Sequence, residues 1–404
     1  MGANAIPRML SDPLIAAKKA WSNKIGELEK YFSNIDFSIS PSLSNALDIL
    51  RSLAAFLVVV NHIGETLFVF EDHLDPFNLF AFQLLYLGHH SVMILFVVSG
   101  FLIGRAGVQV IGKGGAKIFD YGIDRTTRIY VVLLPALLIG LFSDWVLINL
   151  SAGPEFDYVS QRMSVLIFLG NIVGLQTIYV PTFGSNGPLW SLACELWYYF
   201  MFPLFLVALF GANVRNRLIG LVAFVLTLFI VSDDILHYGT IWCLGVLCWL
   251  PRWPVLPKWL SWSLLICLLA SANNDYLWLN GLGFPHIVAT ALSVVLIINS
   301  HRFDRAPKKG LRLSISHFFA KFTYSLYLYH YPPLMIITAL LVKNSFVPYG
   351  HMGALEALLT LGLLFLLYAY SYAWFWLTER NYHRFRDYVK RKAAPLKSAF
   401  APGG

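Results

Sequence analysis

Charge is scarce in this 404-residue chain. Asp, Glu, Lys and Arg together make up only 13%, about half the share typical of a soluble domain. So few charges cannot clothe a water-facing surface, which excludes a cytosolic enzyme, a disordered scaffold and a collagen-like fibre. Cysteine is scarce too: Cys194, Cys243, Cys248 and Cys267 all fall inside apolar runs without zinc-ligand or paired extracellular spacing. They read as small buried hydrophobes, so neither a disulfide-stapled secreted domain nor a metal site is expected. Acids are fewer than bases, giving a net charge of +8 and a pI near 9.2. The bases form no single patch and no aromatic-basic module, so nucleic acid is not an expected partner.

What is abundant is apolar sequence, at 57% of residues with a mean hydropathy of +0.63. Crossing a hydrocarbon core takes about 20 apolar helical residues. Ten runs qualify: 46–64, 82–104, 129–150, 186–210, 217–232, 238–250, 259–272, 284–300, 318–341 and 353–378. Three of them, 217–232, 238–250 and 259–272, are short or crowded. A further stretch, 163–180, is either re-entrant or an eleventh crossing. Lys and Arg mark cytoplasmic loops. With the N-terminus inside, 28 of the 30 fall on the cytoplasmic side, and only Arg162 and Lys343 fall outside. The first outer loop carries Glu65, Glu71, Asp72 and Asp75 with no base.

The expected fold is thus an all-α integral membrane protein of about ten transmembrane helices with both termini cytoplasmic. Residues 1–45 form a cytoplasmic segment, 46–378 the transmembrane domain and 379–404 a flexible basic tail. No cleavable signal peptide is expected, because the first 45 residues mix acids and bases without an apolar core. Leu14, Ala17, Trp21, Ile25, Leu28 and Phe32 recur at helical spacing, either as a helix lying on the inner leaflet or as a solvated helix packed on a loop.

Ionisable groups inside spans cost roughly 2.5–3.5 kcal/mol each and are functional candidates by default. Arg51 and His62 share the first span, 11 residues apart, hence on one helix face and about 16 Å apart along the axis. That spacing suits an anion held by a guanidinium near one side and proton transfer at an imidazole near the other. Glu65 follows three residues later, where it can orient the ring. Glu195 lies in the apolar, aromatic run GPLWSLACELWYYFMFP, and His330 lies in KFTYSLYLYHYPPL ahead of Pro332 and Pro333, which break the helical ladder. Arg125 and Arg128, three residues apart at the cytoplasmic start of the third span, can clamp a phosphorylated donor. Each residue also has a plainer role: snorkelling for Arg51, packing for the histidines, a local ion pair for Glu195, and membrane-end anchoring for the arginine pair.

Two apparent motifs carry no chemistry. GVQVIGKGG imitates a phosphate loop, but Gly114 stands where the Mg-binding hydroxyl belongs. Gly100 and Gly104 match GxxxG, signalling close helix packing or a kink.

Five ordered segments resemble acyltransferase family 3, membrane proteins that modify sugars of bacterial envelopes and exported glycans. They are LDILRSLAAFLVVVNH with Arg51 and His62, ILFVVSGFLIG with Ser99, Gly100 and Phe101, the R-x-x-R-I-Y element of Arg125 and Arg128, WSLACELWYY with Trp190, Ser191 and Glu195, and YSLYLYHYPPL with Tyr327 and His330. The similarity runs from about 45 to 388. It departs where Ser52 replaces a common Gly and where the last span ends TERNYHRF instead of E-x-P-F.

The resemblance implies a multi-pass protein of the bacterial inner membrane that transfers an acyl group, most simply acetyl, from cytoplasmic acyl-CoA to a hydroxyl of an envelope or exported polysaccharide or glycolipid. Arg125, Arg128 and Arg51 would hold the donor. His62 would be the general base, with Glu195 or Glu65 as orienting carboxylate; direct transfer and an acyl-enzyme relay both stay open. Ser99, Trp190, Ser191, Tyr327 and His330 are further candidates. No permanently bound cofactor is expected; the partners are acyl-CoA, a glycan or lipid-linked acceptor, the bilayer, and a second copy if the protein oligomerises. On physical grounds alone, a transporter or flippase for a glycan or small anion uses the same intramembrane charges and broken helices. A non-catalytic partner of a polysaccharide synthase is a third reading.

Overall fold

The computed structural model describes residues 27, 37–67, 87–109, 115–150, 156–211, 213–250, 253–272, 281–302, 304, 311–344 and 354–398. The N-terminal amphipathic pattern, Glu71, Asp72 and Asp75 lie outside these residues. The described part is helical without a named strand; one isolated bridge joins Gln176 and Val180.

Each of the ten expected apolar runs holds a helix among the described residues. In chain order the long helices are α1 (Pro41–Leu67), α2 (Gly88–Val108) and α3 (Gly115–Leu150). Two short helices follow, α4 (Asp157–Gln161) and α5 (Val165–Ile172), then α6 (Leu189–Phe210), α7 (Val214–Ile230), α8 (Asp233–Leu247), α9 (Lys258–Ala270) and α10 (Gly283–Arg302). The chain closes with α11 (Leu311–Ala320), α12 (Thr323–Tyr329), α13 (Tyr331–Lys343), α14 (Ala354–Leu377) and α15 (Tyr382–Ser398).

Ten crossings are not reached by the length of these helices. Six, namely α1, α2, α3, α6, α10 and the run containing α14, are long and apolar enough to span, and α12 with α13 makes a seventh if the bent pair counts as one. Helices α7, α8 and α9 have 17, 15 and 13 residues, short of the roughly 20 that a perpendicular crossing takes. Apolar content marked these segments, but apolar content does not fix where a helix ends. The stretch 163–180 does not cross: α5 has eight residues, after which the chain turns at Gly174 and Thr177, both at positive φ. The basic C-terminal segment, expected to be an irregular tail, is helical through Ser398. It is tied to α3, with the Lys390 ammonium 2.6 Å from Asp124 and the Tyr382 hydroxyl donating to the Asp124 carbonyl.

Gly100 and Gly104 are packing residues. A Cβ at Gly100 would collide with the Trp242 carbonyl of α8, and one at Gly245 would collide with the Val97 carbonyl of α2. The two backbones therefore touch, as small residues permit. The Trp249 indole N–H donates to the Phe101 carbonyl at 2.8 Å, and its ring stacks on Phe101 at 4.5 Å. This seam fixes α2, which carries one wall of the site. Pro332 and Pro333 fill the first turn of α13, where a missing N–H costs least. The chain bends by 41° at His330, between α12 and α13.

Candidate functional site

Five helices meet around a cavity of about 130 Å³. Arg51 comes from α1; Val92, Leu95, Phe96, Val98, Ser99, Leu102 and Ile103 from α2; Arg125, Arg128 and Ile129 from α3; Ser191, Leu192, Glu195 and Tyr199 from α6; and Thr323, Tyr324 and Tyr327 from α12. The α2 side is apolar apart from Ser99, whereas the facing side is charged and hydroxylated. Such a surface suits a ligand with one anionic and one greasy end.

The polar side is held by its own contacts. The Arg51 guanidinium donates to Thr323 Oγ1 at 3.2 Å. Glu195 Oε1 accepts from the Ser99 hydroxyl at 3.0 Å and from the Tyr199 hydroxyl, and the Trp242 indole N–H donates to Ser99 at 3.4 Å. Arg125 lies over the Tyr121 ring at 5.6 Å. Among the described residues none of Arg51, Arg125 and Arg128 is within 4 Å of a carboxylate, and the Arg125 Nε–H is buried without a hydrogen-bond partner. Three guanidinia thus line a space whose one lining carboxylate is Glu195, with Glu379 within electrostatic reach of Arg51 and Arg128. That excess of fixed positive charge suits an oxyanion.

At the far end of α1 a second cluster forms. His62 Nδ1 is 3.3 Å from Glu65 Oε2; its ring stacks on His330 at 5.3 Å and meets the edge of Tyr331 at 5.0 Å. His330 is fully buried, with Nδ1 2.8 Å from the Leu326 carbonyl. A carbonyl can only accept, so Nδ1 carries the proton and Nε2 keeps its lone pair. No described group bonds to that Nε2. Tyr327 joins the two regions: it lines the cavity, shares a 2.5 Å hydroxyl contact with Ser191, donates to the Pro188 carbonyl at 3.2 Å, and its ring centroid is 6.3 Å from His330.

Of the eleven residues singled out in the sequence, the cavity gathers Arg51, Ser99, Arg125, Arg128, Ser191, Glu195 and Tyr327. His62, Glu65 and His330 gather at the second cluster. Glu195 bonds to Ser99 and Tyr199 on the cavity side, while Glu65 is the carboxylate beside His62. Trp190 joins neither group and stacks on His89 at 5.9 Å.

Tyr199, Thr323, Tyr324 and Glu379 join the site without a motif that singles them out in the sequence. Tyr199 was recoverable, four residues after Glu195 and so on the same helix face. Glu379, in the 3-10 turn Glu379–Asn381 after α14, accepts from the Ser325 N–H at 3.2 Å and the Ser325 hydroxyl at 2.7 Å. It also lies within electrostatic reach of Arg51 and Arg128. Its only signal was the altered TERNYHRF ending.

Compared with known proteins, the chain matches the family model described as an acyltransferase domain over residues 44–380. No curated protein and no solved structure matches it. The family match contains every residue named in the cavity and in the histidine cluster. This chain belongs to acyltransferase family 3.

Proposed function

We propose that the protein is a multi-pass O-acyltransferase of the bacterial inner membrane. It moves an acyl group, most simply acetyl, from cytoplasmic acyl-CoA to a hydroxyl of an envelope or exported glycan or glycolipid. In this reading ten segments traverse or enter the bilayer, both termini are cytoplasmic, and the arginine-lined cavity opens toward the side that holds CoA. Arg51, Arg125 and Arg128 bind the donor through its phosphates and thioester region. His62 takes the proton of the acceptor hydroxyl as the oxygen attacks the thioester carbon, forming the ester. The C–S bond breaks, and the thiolate leaves with the proton as free CoA. Glu65 orients the imidazole, and His330 and Tyr331 hold its ring.

The observation that carries this reading is that one unbroken helix, α1, brings a guanidinium to the cavity and an imidazole to the cluster beyond it. Tyr327 and His330 bridge the gap.

The test is transfer of label from acetyl-CoA to a glycan acceptor by membranes containing the protein, with His62→Ala alongside. Labelled glycan that depends on His62 upholds the reading. The bend at His330 also suits a transporter or flippase; glycan or anion movement across vesicles without any label transfer would establish that alternative.

A further inference from the structure

The cavity has two unlike ends. Asn61 of α1 accepts the Gly88 N–H at 2.9 Å, so the start of α2 lies beside the His62 end of α1. From Val92 to Ile103 the cavity then follows α2 for 11 residues, about 16 Å, away from that end. Val92 and Phe96 of α2 and Leu192, in the first turn of α6, form an apolar wall at the end nearer His62.

Phe96 is 4% exposed, and its ring is boxed by Trp190 at 6.3 Å, Tyr198 at 5.8 Å and Tyr238 at 6.4 Å. Tyr198 is itself pinned, its hydroxyl donating to the Ile235 carbonyl at 2.8 Å. In close-packed surroundings a ring held on three sides cannot swing aside without moving its neighbours. Phe96 is therefore a fixed wall.

We propose that this end of the cavity is an acyl subsite closed by Phe96, which limits the donor to short chains. The inference rests on reading the cavity as the donor site. Its size follows from the volume. The whole cavity, arginine end included, is about 130 Å³, less than the roughly 150 Å³ that holds one benzene, so the part beyond the arginines has room for only a short chain. Val92, Phe96 and Leu192 face the chain there, and the two hydroxyls at that end, Ser191 and Tyr327, are already paired with each other and with the Pro188 carbonyl, so a methyl or propyl end is favoured over a carboxylate-terminated chain.

The experiment is displacement of labelled CoA from the purified full-length protein by acetyl-, butyryl- and hexanoyl-CoA, comparing wild type with Phe96→Ala and the milder Phe96→Leu. Affinity ratios within one variant do not depend on how much of that variant is folded. In wild type, acetyl- and butyryl-CoA should bind at least about tenfold more tightly than hexanoyl-CoA, the scale on which apolar pockets discriminate added methylenes. Both substitutions should bring that ratio toward one, Phe96→Ala further than Phe96→Leu. Binding of all three esters with equal affinity in wild type would overturn the subsite and leave the donor site standing. A ratio unmoved in both variants would remove Phe96 as the wall. If CoA itself does not bind, the donor reading fails and the subsite fails with it.

Discussion

His62 and His330 stack with ring centroids 5.3 Å apart and planes 24° from parallel. The bend between α12 and α13 makes this possible, because it places a buried imidazole against the last turns of α1. Pro332 and Pro333 maintain the bend. Two sequence features that looked separate, a histidine near the end of the first span and a Tyr/His/Pro signature near the last, are thus two halves of one contact.

Arg51 should not tolerate lysine. Its guanidinium reaches Thr323 and the cavity together, and a single ammonium cannot reproduce a planar fork. Arg51→Lys should weaken CoA binding about tenfold or more, at about 1.5–3 kcal/mol per charged hydrogen bond. Equilibrium binding of CoA checks this; wild-type affinity would reject a bidentate role.

Glu379 should matter for stability. Its carboxylate holds the start of α12 through both the N–H and the hydroxyl of Ser325. Glu379→Ala leaves the Ser325 groups and the nearby arginines without that carboxylate and should cost about 2–3 kcal/mol. Thermal unfolding in detergent should show a clearly lowered midpoint. An unchanged midpoint would mean that the contact contributes nothing to the folded state.

Glycine substitutions should separate the packed seam from the open face. Gly100→Ala forces a Cβ into the Trp242 carbonyl, whereas a Cβ at Gly140 meets nothing within 4 Å. The first should sharply reduce the yield of folded protein, and Gly140→Ala should not. Size-exclusion profiles of the two variants decide the matter; equal profiles would refute the backbone contact between α2 and α8.

The sequence revealed periodic features and concealed those set by three-dimensional closure. The face shared by Arg51 and His62 follows from helical repeat, and the break at His330 follows from two prolines, so both were legible. The small-residue pair Gly100 and Gly104 announced close packing without naming its partner, α8. Spanning ability was legible for α1, α2, α3, α6 and α10. For α7, α8 and α9 hydropathy marked the apolar run but not the helix ends, and these helices have 17, 15 and 13 residues. Glu195 was legible as an intramembrane carboxylate, but its partners lie on α2 and α6 together, and only Tyr199 shared its helix. Tyr324 and Thr323 were indistinguishable from the many other hydroxyl-bearing residues near aromatic runs. Trp190 sits within a family motif yet faces the aromatic cluster of His89 and Tyr238, a distinction that neighbouring sequence cannot express.

The most direct measurement of the central claim pairs two readouts on His62→Ala: affinity for CoA, and transfer of label from acetyl-CoA to glycan. His62 does not line the cavity, so affinity should stay within about twofold, while transfer should fall by about 10²–10⁴-fold, the usual contribution of a general base. Transfer at the wild-type rate would contradict the account.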